Sequence, residues 1–208
     1  MPPRPTPTSG RRVASACPIS AYRGRRRLDV DEAKLIETEG GLKPEGEGWF
    51  VVNVRDAAWL YSDDFGSGVV FQGEGPASFP ELGINISVLQ PGEPNCRYHA
   101  ESNQEDFLVL SGECLLLVEG QERPLRAWDF VHCPSWTEHV FVGAGDGPCV
   151  LLAVGSRRPD EELRYPVSEV ALSHGAGVHE ETSDPRHAYA DVERARPGPA
   201  PAEGMPWR

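Results

Sequence analysis

The chain is 208 residues long and acidic, with 32 Asp and Glu against 20 Lys and Arg and a formal net charge of −12. The charge is uneven, because residues 1–27 carry seven Arg and no acid, whereas residues 28–155 carry 22 acids and 6 bases. Nucleic-acid binding requires clustered Lys and Arg on the folded surface, so this acidic body excludes a nucleic-acid partner. No apolar run approaches the roughly 20 residues that span a bilayer, which excludes a membrane protein.

The composition predicts one globular domain built from short elements. Hydrophobic residues make up 39% of the chain, enough for a core, and the 22 Gly and 20 Pro favour many turns over long helices. The five cysteines are odd in number and contain no C-x-x-C pair. We therefore expect inert thiols in a reducing compartment and a cytoplasmic protein.

Three regions differ in composition. Residues 1–27 are rich in Arg and Pro and lack the apolar segment of a secretory signal, so a flexible extension or an over-long start is expected. Residues 28–173 are predicted to form the folded body with its flanking segments. Residues 174–208 are polar and rich in proline, and disorder is expected for residues 197–208, although Trp207 could dock.

The N-terminal part of the body gives mixed signals. Acids before an apolar pair, followed by Gly-Gly, predict a helix near residues 29–38. Residues 48–59 are predicted to form a strand leading into a turn. Residues 82–90 alternate between apolar and polar side chains and end at Pro-Gly, the pattern of a strand followed by a turn.

A series of short apolar runs separated by Gly and Pro follows. These runs predict strands at residues 105–111, 113–119, 122–125, 129–133, 138–142 and 148–155. One or two more strands are expected in residues 160–173. Short strands at this spacing without intervening helices indicate an antiparallel all-β sandwich or barrel.

Four residues in this strand-rich region suggest a metal site. His99, Glu101 and Glu105 are spaced at 0, +2 and +6, and His139 begins a later apolar run. Side chains two apart on a strand share a face, and the polar residues between Glu101 and Glu105 can turn the chain. Imidazoles and carboxylates converging from three strands are typical ligands of a divalent metal ion.

The same stretch resembles the cupin superfamily. The first cupin motif is G-x5-H-x-H-x3/4-E-x6-G, and this chain has Gly92, His99, Glu101, Glu105 and Gly112 in that order. The second motif is G-x5-P-x-G-x2-H-x3-N, of which the chain keeps the proline-to-histidine spacing that ends at His139. The resemblance covers residues 80–155. It implies a double-stranded β-helix, the cupin jelly-roll barrel, with irregular extensions at both ends.

The resemblance places His99, Glu101, Glu105 and His139 at the four ligand positions of one divalent ion, Fe, Mn or Zn. Glu101 replaces the family's second histidine, so this is an H-x-E variant of the motif. Glu101 either ligates the metal, swings away to leave a two-histidine, one-carboxylate triad, or pairs with Arg97. Arg97 and Trp136 are candidate substrate-binding residues, with a rim salt bridge as the alternative for Arg97.

The implied function is that of a mononuclear metalloenzyme acting on a small organic metabolite, either dioxygenase-like or sugar-isomerase-like. The alternative is a non-catalytic cupin that binds or senses a small molecule around a structural metal, since no second catalytic acid–base pair is evident. Catalytic residues are not assigned. The family-based expectation is a homodimer, in which residues 30–60 are the segment expected to cross over.

Overall fold

The computed structural model describes residues 30–207, and its architecture is all-β with short helices only. The predicted fold class, a double-stranded β-helix, is confirmed. Its strands are β1 (Lys34–Thr38), β2 (Gly41–Glu45), β3 (Trp59–Ser62), β4 (Gly66–Val70), β5 (Leu82–Leu89), β6 (Ala100–Glu101), β7 (Glu105–Ser111), β8 (Glu113–Val118), β9 (Gln121–Arg126), β10 (Phe130–Cys133), β11 (His139–Ala144), β12 (Cys149–Ser156), β13 (Leu163–Arg164) and β14 (Arg196–Gly198). The helices are α1 (Glu169–Ser173), α2 (Pro185–Ala188) and a 3₁₀ turn at Gly75–Ala77. No helix within this part of the chain is long and apolar enough to cross a membrane.

Two antiparallel sheets form the barrel. The larger has the order β10-β7-β12-β5-β4-β3-β14, and the smaller has the order β11-β8-β9. The predicted strands from residue 82 to residue 155 all have counterparts here. In β7 and β8, for example, apolar side chains that alternate along the strand are buried on one face. Inward side chains from both sheets form the main core, which contains Leu89, Phe107, Val109, Cys114, Leu116, Cys133, Phe141, Cys149 and Leu151.

The two faces of β5 have different roles. Asn85 and Ser87 line a cavity inside the barrel, whereas Ile86 and Val88 belong to a second core on the outer face of the large sheet. This split follows from the two-residue period of a strand. The alternation noted in the sequence therefore separates a cavity wall from a packing surface.

The helix predicted near residues 29–38 is wrong. Residues 34–45 form a β-hairpin of β1 and β2 rather than a helix, with Thr38 paired to Gly41. The glycine pair that was expected to end a helix instead closes the hairpin, and Gly41 adopts a left-handed φ of 127°. The strand predicted for residues 48–59 begins only at Trp59, and Val52 and Val54 before it pack on the outer core.

The C-terminal segment packs against the barrel, contrary to the disorder expected for residues 197–208. The short strand β14 pairs with β3, and Met205 is buried in the outer core. Trp207 lies with its ring centroid 5.5 Å from that of Trp59. The exposed apolar face of the large sheet provides a partner that the local composition could not indicate. Residues 1–27 lie outside the described residues, and the predicted division at residues 28, 173 and 174 stays a prediction.

We expect Trp207→Ala to destabilise the protein by about 1–2 kcal/mol, because a half-buried aromatic contact with Trp59 is lost. The indole Nε1 also donates to the carbonyl oxygen of Pro201 at 3.0 Å. Urea denaturation measures the change, and hydrogen exchange should increase in β14. The matched control is Trp128→Ala, since Trp128 is 73% exposed. Equal effects of the two substitutions would contradict the docked C-terminus.

Candidate metal centre

Three chain segments bring the central residues together. His99 immediately precedes β6, Glu105 begins β7, and His139 begins β11. The backbones of His99 and His139 pair directly, with the His139 N–H donating to the His99 carbonyl at 2.9 Å and the reverse bond at 3.2 Å. Directly opposed residues of an antiparallel pair hold their side chains side by side, so the two imidazoles become neighbours.

The three side chains form a compact, shielded group. Nε2 of His139 lies 3.3 Å and Nε2 of His99 lies 3.8 Å from Oε2 of Glu105. One ligand atom from each residue lies within 4.8 Å of the others. His99 and His139 are buried, and the side chain of Glu105 is 16% exposed. Two imidazole nitrogens and one carboxylate oxygen at this spacing could hold a divalent metal ion.

The same kind of hydrogen bond to a backbone carbonyl orients both imidazoles. Nδ1 of His99 lies 2.8 Å from the carbonyl oxygen of Arg97, and Nδ1 of His139 lies 3.0 Å from that of Thr137. In each case the ring bonds to the carbonyl two residues earlier, which requires a proton on Nδ1. In the neutral form of each ring, Nε2 presents its lone pair towards Glu105. Outer hydrogen bonds of this kind fix the tautomer of metal-ligating histidines, so the residues present fit a metal ion.

Burial disfavours charge on Glu105 and His139 without a cation. Burial raises the pKa of Glu105 to about 7, and the neighbouring carboxylate of Glu101 adds to the increase. Burial likewise lowers the pKa of His139 to about 4, with the nearby His99 adding to the decrease. A divalent ion would counteract the raised pKa of Glu105, because it stabilises an ionised carboxylate.

Glu101 lies beside the group rather than within it. Its Oε1 is 3.5 Å from Nε2 of His99, so the two side chains share a side as the spacing predicts. Glu101 is not among the three residues whose ligand atoms all lie within 4.8 Å of one another. The alternative of an ion pair with Arg97 is not seen, because the Arg97 guanidinium binds both carboxylate oxygens of Asp191 at 2.8 and 2.9 Å. Metal ligation by Glu101 stays a prediction.

The two candidate substrate-binding residues do not line the cavity next to the histidines. Arg97 also donates to the carbonyls of Gly175 and Gly177, which fixes it beneath the C-terminal segment. Trp136 is 43% exposed and lines a separate acidic groove that includes Glu161 and Glu162. Neither residue is among those that line the cavity, so contact with a substrate there stays a prediction.

A cavity of about 310 Å³ adjoins the three residues inside the barrel. His99, Glu105 and His139 contribute to its wall, and the remaining lining side chains are small, apolar or neutral: Leu60, Gly68, Val69, Val70, Asn85, Ser87, Asn95, Cys96, Phe107 and Ala153. This volume suits a small organic molecule. Within the described residues, no Lys or Arg lines the cavity.

Sequence reasoning missed part of this lining. The Cys96 Sγ lies 3.6 Å from Nδ1 of His99, although the cysteines were expected to be inert. Cys96, Cys114, Cys133 and Cys149 are free thiols, and the last three are buried as expected, whereas Cys17 lies outside the described residues. The alternation of Asn85 and Ser87 with apolar neighbours was the available signal for a polar inner wall.

Comparison with known proteins identifies the domain. A family model described as a cupin domain matches residues 85–155. No curated protein sequence matches the chain.

Solved structures with similar folds include a putative sugar phosphate isomerase from Acidithiobacillus ferrooxidans, 25% identical over 47% of this chain and 64% of that chain, with a TM-score of 0.42. Another is a cupin-superfamily sugar phosphate isomerase from Silicibacter pomeroyi, 26% identical over 46% of this chain and 63% of that chain, with a TM-score of 0.40. The polyketide cyclase RemF from Streptomyces resistomycificus is 17% identical over 53% of this chain and 82% of that chain, with a TM-score of 0.46. The chain thus spans less than two thirds of the length of the first two proteins. The family match and the β-barrel together show that residues 85–155 form a domain of the cupin superfamily.

Proposed function

We propose that the protein binds one divalent ion, Fe, Mn or Zn, at His99, Glu105 and His139 and acts on a small organic molecule in the barrel cavity. The observation that carries this proposal is the pair of anchored imidazoles whose Nε2 atoms face one partly buried carboxylate. A bound ion would supply Lewis acidity or, as Fe(II), electrons for reaction with dioxygen.

The surrounding residues support such a role by shape and exclusion of water. The Phe107 ring packs edge-on against His139 with centroids 5.2 Å apart, which holds the imidazole and shields it. Asn85 and Ser87 offer neutral hydrogen-bonding groups from another strand of the cavity wall. A cavity with a few polar groups among apolar side chains is the usual form of a small-molecule site.

Two reaction classes remain within the proposal, dioxygenase-like and sugar-isomerase-like. The structural similarity to proteins described as sugar phosphate isomerases is too weak to choose between them. Oxygen consumption that depends on Fe(II) and a small substrate identifies the first class. Interconversion of aldose and ketose under argon identifies the second.

Metal analysis of the native protein by mass spectrometry is the first experiment. We expect about one ion per chain, and its identity separates oxygen chemistry from Lewis-acid chemistry. Absence of bound metal after reconstitution with Fe, Mn and Zn would reject the proposal.

A specific observation favours the non-catalytic alternative. Apart from the three candidate ligands, no Asp, Glu or His among the described residues lines the cavity, so a separate proton-transfer pair is lacking there. In that case the metal-loaded protein would bind metabolites from a broad panel without converting any. The homodimer and cytoplasmic location inferred from the sequence remain part of the same proposal.

Metal affinity should fall as the solution becomes more acidic. Glu105, whose pKa is raised to about 7, must lose its proton to bind a cation. The ionised fraction of such a group decreases about tenfold from pH 8 to pH 6, so affinity should decrease by a similar factor. Competition with a chelator of known affinity at both pH values measures the change. Equal affinities would show that Glu105 is not a ligand.

A further inference from the structure

Arg157, which is not part of the proposed metal centre, has a guanidinium that the protein holds on one side only. Its Nη1 donates to Oε1 of Gln72 at 2.7 Å and to the carbonyl oxygen of Phe79 at 2.8 Å, which fixes one side of the guanidinium. Within residues 30–207, Nε and Nη2 make no hydrogen bond or ion pair to the protein. One edge of a held, half-buried guanidinium therefore keeps two donors available.

The guanidinium lies on the inner side of the large sheet. Gly83 lies two residues before Asn85 on β5, so it is on the same inward face as the cavity-lining Asn85 and Ser87. A side chain built on Gly83 would meet Nε and Nη2 of Arg157 at 3.4 and 3.5 Å. Arg157 therefore occupies the space above Gly83 that a side chain would otherwise fill.

Gly83 and the candidate metal ligand Glu105 lie in one row across the sheet. Gly83 pairs with Gly155, and Gly155 pairs with Glu105. A Cβ on Gly155 would lie 3.7 Å from Cγ of Glu105, so this glycine also faces inwards. Two antiparallel steps separate Gly83 from Glu105 by about 10 Å between Cα atoms. Neither glycine places a side chain between Arg157 and the candidate metal centre.

The charges along this row restrict what can bind. No Lys or Arg among the described residues lines the cavity next to the histidines, whereas Arg157 lies over Gly83 in the same inward row as Glu105. Glu161 is close enough to Arg157 and Glu101 for both to affect its pKa, which burial raises, but it forms no ion pair with Arg157. A substrate oxyanion would therefore meet Arg157 without displacing a protein carboxylate from it.

We propose that Arg157 determines substrate specificity by binding an oxyanion, a carboxylate or a phosphate, on a molecule whose other end occupies the candidate metal centre. This inference rests on the proposed function for the position of the reacting end. The planar Nε–Nη2 edge suits two parallel hydrogen bonds to such a group. The glycine row places Arg157 and Glu105 over neighbouring positions on the same inward face of the sheet.

Calorimetric titration of the metal-loaded full chain with matched probes tests the assignment. One pair is dihydroxyacetone phosphate and dihydroxyacetone, and the other is 5-hydroxylevulinate and 1-hydroxy-2-pentanone. We expect the anionic member of at least one pair to bind about tenfold tighter or more, and the pair with the larger ratio identifies phosphate or carboxylate. Arg157→Gln should remove this preference and leave the affinity for the uncharged member unchanged.

Two further variants separate recognition from a structural role. Arg157→Lys keeps the charge without the planar edge and should retain part of the preference. Gln72→Ala removes an acceptor that holds Arg157 and the N–H of Phe79, so it should lower thermal stability while preserving the preference. The proposal is overturned if Arg157→Gln keeps the wild-type ratio, or if the wild type binds no anionic probe at millimolar concentration.

Failure of the Arg157 proposal can be distinguished from failure of the proposed function. Metal content is measured separately, and a chain that binds no metal rejects the metal centre alone. The titrations are then repeated with that metal-free chain, because contact between a guanidinium and an oxyanion requires no metal.

Discussion

Glu105→Gln should weaken metal binding by more than about 100-fold and, in the same protein, stabilise the metal-free fold. The first effect follows because the substitution removes the anionic ligand, whose loss should exceed the 10- to 100-fold cost typical of outer-sphere partners. The second follows because burial raises the pKa of Glu105 from 4.5 to about 7. The folded state therefore disfavours the ionised carboxylate that the unfolded chain tolerates.

The sign of the pH dependence follows from this shift. An acid with a raised pKa in the folded state destabilises that state increasingly between pH 4.5 and about pH 7 and by a constant amount above. Glu105→Gln should therefore stabilise the metal-free protein by up to about 3 kcal/mol at pH 8. At pH 5 the gain should shrink below about 1 kcal/mol.

Urea denaturation of chelator-treated protein at the two pH values measures this gain, and chelator competition measures the metal affinity. The matched control is Glu113→Gln on β8, where the carboxylate is exposed and outside the metal group. It should alter neither quantity. A Glu105→Gln protein that keeps wild-type metal affinity would exclude Glu105 as a ligand, whatever its stability.

Phe141→Ala should destabilise the metal-free protein by about 3–5 kcal/mol. Phe141 is fully buried at the centre of the main core, with its ring centroid 4.5 Å from that of Phe107 and 6.1 Å from that of His139. Removing the ring loses the transfer free energy of an aromatic side chain and leaves a cavity between the sheets. The loosened Phe107 should also weaken metal binding, because it packs against His139.

The control for this substitution is Phe130→Ala. Phe130 is 65% exposed at the start of β10, the edge strand of the large sheet, and should change stability by less than about 0.5 kcal/mol. Denaturation midpoints of the two variants are compared with that of the wild type at one pH. Similar losses for both would contradict the assignment of Phe141 to the core.

The accuracy of the sequence-based predictions varied along the chain for a physical reason. Strands such as β5 and β7 were predictable because their alternation reports burial of one face. The hairpin of β1 and β2 was mistaken for a helix, because five-residue strands with acids and a glycine pair have no distinctive period. The C-terminal strand was missed because its stability comes from pairing with β3, not from its own residues.

In the candidate metal centre, too, some features were predictable from the sequence and others were not. The spacing of His99, Glu105 and His139 within predicted strands was enough to group them, because strand geometry limits where such side chains point. The rival roles of Glu101 and Arg97 could not be separated, since the Arg97 partner is Asp191, 94 positions away. Arg157 was not predicted as a site residue, because its position relative to Glu105 depends on the register of β5, β12 and β7. A short stretch of sequence does not specify that register.

By itself, the sequence determined the acidic body and the all-β class and grouped four candidate ligands, three of which the structure brings within 4.8 Å of one another. Composition, two-residue periodicity and motif spacing are local properties. Tertiary structure alone decided which side chains line the cavity, which acid holds Arg97, and that the C-terminal segment covers Trp59. These contacts join residues far apart in the chain. Their formation depends on register and on apolar surface left exposed by other elements, which no short stretch of sequence specifies.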